Sequence, residues 1–307
     1  MSAPEAQVAT PSGRSLGRSV ARALRPHQWV KNGLVAVPLV LAHRVGDAEA
    51  VGAVALAFVA FSMAASGAYA LNDVLDRERD RRHPTKRTRP FASGALSPAA
   101  GVAMSAGLVG GALGLSVLSL PAAFTGLLVA YVLATLAYSL SLKRVAVVDV
   151  LVLAGLYALR VLAGGAAAGV RVSEWLLAFS VFFFLALALL KRYAELRRIE
   201  AGEAPPDNGR GYEVGDARLL GSVGPACGLI AVLVFALYVT GPGVRELYAR
   251  PALLWLAAPP LLYWTMRMWL VAHRGRMNDD PVLFAVTDPP SYAVAVLVAA
   301  VLAVASL

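Results

Sequence analysis

Apolar residues run through this chain in long blocks, and short clusters rich in arginine, lysine, aspartate, glycine and proline separate them. A block of about 17 or more apolar residues reads as a membrane-spanning helix, because only an internally hydrogen-bonded helix satisfies its own backbone in hydrocarbon. Such blocks occupy residues 29–45, 49–72, 99–117, 120–141, 146–169, 173–195, 218–240, 252–272 and 289–306. The pattern predicts an all-α polytopic membrane protein with nine transmembrane helices. Pro38 interrupts the first block, which is also the poorest in apolar content, and Pro121 predicts a very tight hairpin between the third and fourth helices. Gly164, Gly165 and Gly169, set among many alanines, predict close helix approach within the bundle.

The polar connections carry an orientation signal. At the ends of the spans and between them, 22 lysines and arginines fall in the amino-terminal segment and around every second connection, and four (Arg44, Arg171, Arg245, Arg250) fall around the others. By the positive-inside rule the amino terminus and the long charged loops are cytoplasmic, and the carboxyl terminus lies outside. Residues 1–24 read as a mobile cytoplasmic tail without a cleavable signal, and 25–307 as one integral membrane domain. Composition agrees: 58% hydrophobic residues and a mean hydropathy of +0.65 exclude an ordinary soluble domain. The net charge of +9 matches anionic lipid headgroups and gives no reason to invoke nucleic acid. The single cysteine, Cys227, excludes an intrachain disulfide and a cysteine-based metal site.

Chemistry concentrates where the second block turns ionic, at residues 71–90. Continued as a helix, Asn72, Asp73, Asp76 and Asp80 fall within roughly a 100° arc, so three carboxylates and a carboxamide share one face. Hard oxygen ligands beside phosphate-binding cations suit Mg²⁺, and the basic run that follows supplies Lys86, Arg87 and Arg89 for phosphate oxygens. Further candidates stand on other connections. Tyr138 and Lys143 precede the fifth block. Asp149 and Arg160 lie inside it, eleven residues apart, which sets them within about 20° of one face and about 16 Å apart along the axis. Lys191, Arg192 and Tyr193 open the run Lys191–Arg198 at the end of the sixth block, where Lys191 and Glu195 are one turn apart; Lys31 sits in Arg25-Pro-His-Gln-Trp-Val-Lys-Asn32. The 201–212 loop is placed to cover a pocket mouth, and Asp279 and Asp280 read as a loop cap before they read as ligands.

At these residues the chain resembles the UbiA superfamily of intramembrane prenyltransferases over nearly its whole length. The motif N-D-x-x-D-x-x-x-D stands intact as Asn72, Asp73, Asp76 and Asp80, followed by Arg89, Pro90 and Gly94. The resemblance implies helices around a central cavity, Mg²⁺ held by Asp73, Asp76, Asp80 and Asn72 at the cytoplasmic mouth, and a long isoprenoid in the lipid-facing chamber. The second acidic motif of aromatic prenyltransferases is missing: its positions around Tyr193-Ala194 hold Leu190 and Arg197, and Lys191, Arg192 and Arg197 make that stretch basic. This pattern is similar to the polyprenyl-phosphate (decaprenyl-phosphate) phosphoribosyltransferase branch, as are R-P-x-Q-W-V-K-N, H-P-T-K-R-x-R-P, Y-S-x-x-L-K and K-R-Y-A-E-L.

That branch implies a polyprenyl phosphate acceptor and a phosphoribosyl pyrophosphate donor. Asp73, Asp76, Asp80 and Lys86 would act on the donor pyrophosphate. Lys31, Asn72, Arg87, Arg89, Tyr138, Lys143, Asp149, Arg160, Lys191, Arg192 and Tyr193 would contact substrates. The setting would be the plasma membrane and the product a cell-wall or glycan precursor, and a homo-oligomer such as a trimer is compatible with it. Two other readings stay open: an aromatic or quinone prenyltransferase with a polyprenyl diphosphate donor, and a lipid-binding or transport protein without catalysis.

Overall fold

The computed structural model describes residues 13–82, 85–204, 209–241, 243–277 and 280–307, and no strand occurs among them. Seven helices are long and apolar enough to cross a membrane: α2 (Ala48–Leu75), α3 (Pro98–Ser119), α4 (Ala122–Leu140), α5 (Val148–Ala168), α6 (Glu174–Glu200), α7 (Ala217–Thr240) and α9 (Pro289–Ser306). They follow α1 (Gly13–Leu24), and a shorter helix, α8 (Ala258–His273), lies between α7 and α9. Side-chain oxygens set several starts, each accepting from backbone N–H groups that a first helical turn leaves unpaired: Asp47 for α2, Ser97 for α3, Ser173 for α6 and Asp288 for α9.

The first and eighth expected spans are built differently from the other seven. Residues Pro26–Ala36 form a 3₁₀ segment that passes into a short α-helix, Val37–Leu41; Pro251–Ala257 form a second 3₁₀ segment ahead of α8. In both places prolines stand at the start of the α-helical part, where the missing N–H costs nothing. Pro38 therefore begins α-helix in the first segment instead of interrupting it. The hairpin at Pro121 is tight as expected, with two residues between α3 and α4. Within the stretch 1–24 expected to be a tail, residues 1–12 lie outside the described set, and Gly13–Leu24 form α1, whose Ala23 is fully buried against Ala70, Phe91 and Leu96.

From α2 to α9 each helix packs on the next, and the Pro26–Leu41 segment lies against α2 and α5. Gly164 makes that contact close, since a Cβ there would sit 2.0 Å from the carbonyl oxygen of Val35. One apolar core joins this segment to α2–α5, and another joins α5–α8. Outward faces stay apolar, as at Val117, Leu118, Leu133 and Val296, which suits contact with lipid chains.

The polar connections sort to two ends. Lys143 contacts Asp76, Tyr212 contacts Val147 and Lys31 contacts Asp280, so the basic connections share one end. His43 meets Ser306 at 3.0 Å and Arg44 donates to the Ala168 carbonyl at the other.

Candidate active site

The acidic motif forms because α2 runs past its apolar stretch and breaks at Asp76, whose backbone (φ −89°, ψ 6°) ends the helix before a short turn of helix, Arg77–Arg82. The break divides the expected single acidic face into two pairs. Lys143 Nζ donates to Asn72 Oδ1 at 3.1 Å and to both Asp76 oxygens at 2.9 and 2.8 Å. Arg89 donates to Asp73 at 3.1 Å and to Asp80 at 2.7 Å, and Arg25 donates to both Asp73 oxygens at 2.7 and 2.8 Å. Asp73 and Asp80 are buried, while Arg25, Arg89 and Asp76 keep between 18% and 27% of their side-chain surface exposed. Three carboxylates thus meet three cations at a partly open surface.

Lys86 is half-buried in the field of Arg89, Asp80, Glu195 and Arg210; burial and then Arg89 push its ammonium below the usual lysine value. Arg87 is exposed, and His83 and Pro84 lie outside the described residues.

A second network joins α5, α6 and the 209–216 loop. Arg192 is 1% exposed and uses every nitrogen: Nε donates to Asp149 at 2.5 Å, one terminal nitrogen to Glu195 at 2.5 Å and the other to the Tyr138 hydroxyl at 3.2 Å. The Tyr212 hydroxyl donates to Asp149 at 2.7 Å, and Arg210 donates to the Tyr138 oxygen at 2.7 Å. Burial, then the bond to Asp149, drives the Tyr212 phenol well above its usual pKa. Tyr212 also accepts from the N–H of Val147, a β-branched residue held at φ 68°. The loop comes this close because position 211 is glycine, where a Cβ would sit 2.5 Å from the Arg144 carbonyl oxygen. The 201–212 loop, expected to cover a pocket mouth, thus reaches into this network through Arg210 and Tyr212; its residues 205–208 lie outside the described set.

A third group lies between these. Lys31 donates to Asp280, and Lys191 stands 3.8 Å from the same oxygen. Asp280 also accepts from Val282 and Leu283 N–H, so it is a cap, as expected, and an ion-pair partner as well; Asp279 lies outside the described residues. Burial works to raise the Asp280 carboxyl, but Lys191 and Lys31 outweigh it and hold it below the usual carboxylate range. Deeper in the bundle, Arg160 donates to Asn32 at 2.9 Å, to the Leu156 carbonyl at 2.7 Å and to the Tyr131 hydroxyl at 2.9 Å, with the Tyr131 and Tyr157 rings against its guanidinium.

Asn72 and Asp76 meet at Lys143, and Asp73 and Asp80 meet at Arg89, with Lys86 in the electrostatic field of Asp80, where the motif spacing implies one shared face. Three other expectations change. Asp149 and Arg160 share a helix face but serve separate networks. Arg192 has every guanidinium nitrogen committed inside the protein, so the stretch around it is electrically balanced by Asp149 and Glu195 and is less basic than its sequence. Tyr193 turns away from the site, its hydroxyl 2.9 Å from His273 Nδ1 and its ring against Trp269. Arg25, Glu195, Arg210, Tyr212 and Asp280 complete the arrangement. Arg25 and Asp280 flank blocks already read as chemical, while Arg210 and Tyr212 sit in a loop with no periodic signal.

The donor chemistry fits Mg²⁺. Asn72, Asp73, Asp76 and Asp80 offer only hard oxygens, and Lys143 and Arg89 already take cation positions among them. Among the described residues no three histidine, cysteine, aspartate or glutamate side chains converge on one point, so the oxygens stand as two pairs.

The sequence profile of the UbiA prenyltransferase family matches residues 33–287. The chain is 38% identical over 277 residues to an uncharacterized protein, y4nM, of Sinorhizobium fredii, covering 90% of this chain and 54% of that one, so it spans about half the length of that relative. It is 38% identical over 274 residues to the nodulation protein NoeC of Azorhizobium caulinodans, covering 88% and 87%. It is 40% identical over 203 residues to the decaprenyl-phosphate phosphoribosyltransferase of Mycobacterium tuberculosis, covering 63% and 65%. Among solved structures, a UbiA homolog from Archaeoglobus fulgidus bound to GPP and Mg²⁺ has the same fold, with a TM-score of 0.69 at 16% identity over 94% of this chain and all of that one.

Proposed function

Since the chain belongs to the UbiA prenyltransferase family, we propose that this integral membrane transferase moves the 5-phosphoribosyl group of phosphoribosyl pyrophosphate onto a polyprenyl phosphate and releases pyrophosphate. The end that gathers the basic connections faces the cytoplasm, in keeping with the 22-to-4 distribution of lysine and arginine. The curated decaprenyl-phosphate phosphoribosyltransferases, near 40% identity, support the choice of substrates.

The observation that carries the reading is the 190–198 stretch. A donor ionised between two acidic clusters needs oxygen ligands here, yet Leu190 is fully buried, Arg197 pairs with Glu200 at 2.5 Å, and Asp149 and Glu195 are both committed to Arg192. Among the described residues one acidic cluster remains, at Asn72–Asp80, with cations around it. That suits one pyrophosphate leaving group and one anionic acceptor.

In the reaction a phosphate oxygen of the lipid attacks C1 of the ribose, and the bond from C1 to the pyrophosphate oxygen breaks with its electron pair going to pyrophosphate. The nucleophile is already an anion at neutral pH, so the site needs no strong base. Asp73, Asp76, Asp80 and Asn72 would hold Mg²⁺, which neutralises charge gathering on the leaving pyrophosphate. Lys86, Arg87 and Arg89 bind donor phosphates, with Arg25 beside them. Lys143, Lys31 and Lys191 take the remaining phosphate groups, and Tyr138, Asp149, Arg160 and Arg192 hold the walls.

Purified protein with Mg²⁺ is given labelled phosphoribosyl pyrophosphate with a polyprenyl phosphate, and separately a polyprenyl diphosphate with hydroxybenzoate. The proposal expects a labelled ribosyl lipid in the first mixture. Prenylated hydroxybenzoate without ribosyl lipid would transfer the assignment to an aromatic prenyltransferase, and no product in either would remove the catalytic reading.

A further inference from the structure

Lys31 of the first segment and Lys191 of α6 flank one carboxylate, Asp280, on the same oxygen. All three side chains are at least two-thirds buried. The other Asp280 oxygen is committed to the helix Pro281–Ala285, whose first N–H groups it accepts from. Two positive charges against one negative leave an excess of one, in surroundings where an unbalanced charge is costly.

The surroundings indicate what would balance it. Phe184 lies seven residues before Lys191, on the same face of α6 and about 10 Å along its axis. Phe184 stacks on Tyr157 at 4.8 Å and meets Phe183 at 5.4 Å, and Phe183 stacks on Trp264 at 5.5 Å. The lysine pair therefore stands at the head of an aromatic wall that leads into the apolar interior, which is the layout an anionic amphiphile requires.

We propose that Lys31 and Lys191 form the headgroup site for the phosphate monoester of the isoprenoid lipid, and that Asp280 is a built-in anion that holds this site until the lipid phosphate displaces it. The inference rests on the reading of a polyprenyl phosphate as acceptor. Charge counting explains the exchange. A phosphate monoester carries close to two negative charges at neutral pH, which two lysines balance once Asp280 has left. With Asp280 in place there would be one negative charge too many, and a diphosphate would leave the site negative even after the exchange. The site thereby selects a monophosphate over a diphosphate.

The test measures binding to the full chain in nanodiscs, without donor or Mg²⁺, so that it does not depend on transfer. Geranylgeranyl monophosphate is expected to bind at least tenfold more tightly than geranylgeranyl diphosphate. Asp280→Asn keeps a capping side chain, since asparagine caps as well as aspartate, and is expected to tighten monophosphate binding at least fivefold. Lys31→Gln or Lys191→Gln should weaken it tenfold or more; should either fail to fold, Asp280→Asn decides alone. Unchanged or weaker binding by Asp280→Asn overturns the proposal, as does displacement of the lipid by ribose 5-phosphate at lower concentration than by geranylgeranyl monophosphate itself. If the wild type binds the lipid as expected yet forms no ribosyl lipid, the proposed reaction fails and the binding site stands.

Discussion

Two ion networks stand at the same end of this bundle and differ in what they leave open. Around Asn72–Asp80 each ion pair has one partly exposed member: Arg25 and Arg89 hold the buried Asp73 and Asp80, and the buried Lys143 holds Asp76, which keeps 26% of its side-chain surface exposed. Around Arg192 the central pair, Arg192 with Asp149, is 1% and 0% exposed, and a tyrosine hydroxyl seals each side. The first can exchange its partners for a metal and phosphates at little cost. The second cannot, because each charge taken from its partner would be left without water. On the proposed function, the charged residues at this end therefore divide into those available for chemistry and those that fix the frame, and exposure of one member of each pair distinguishes them better than residue type.

The sharpest way to break that contrast is to open the sealed pair. Arg192→Met strands the buried Asp149 carboxylate, and breaking a buried pair from one side costs about 3–5 kcal/mol. Thermal or denaturant unfolding in detergent should show that loss. The double variant Arg192→Met with Asp149→Leu should recover most of it, since an apolar replacement leaves no stranded charge. A single variant as stable as the wild type would mean that water reaches Asp149 and that the network is exchangeable after all.

The sequence made the open network legible and hid the sealed one. Asn72, Asp73, Asp76 and Asp80 lie within nine residues, so helical spacing alone brings them together, although it did not show that the helix breaks at Asp76 and splits them. Apolar block length likewise found the seven long helices, yet did not reveal that Pro26–Ala36 and Pro251–Ala257 are 3₁₀, because prolines at the start of a helix and prolines within one look alike in composition. Arg192 looked like a phosphate ligand since its partner Asp149 is 43 residues away on another helix. Tyr212 gave no signal at all: its role depends on the strained turn at Val147, which no local pattern encodes.

The next test sharpens the contrast from the open side. Asp73→Asn should leave unfolding within about 1 kcal/mol of wild type, because Arg25 and Arg89 can turn to water. Transfer should fall roughly 10²–10³-fold, the range seen when one preorganised electrostatic contact to a developing charge is removed. Single-turnover assays with labelled donor would measure it. Wild-type transfer by this variant would take the acidic motif out of the chemistry.

The smallest effect asks by pH which of the two networks the Lys31–Asp280–Lys191 group resembles. Lys191 and Lys31 hold the Asp280 carboxyl below its ordinary range, against an unfolded value of roughly 3.9. A depressed carboxylate contributes stability that is present in full above the unfolded pKa and disappears as pH falls through the folded one. Below about pH 4 the wild type should therefore lose stability more steeply than Asp280→Asn, and above it the two curves should run parallel. Unfolding midpoints measured from pH 6 downward would show the convergence. Parallel curves throughout would mean that the lysines do not bias Asp280, which would leave no ion pair for a lipid phosphate to replace.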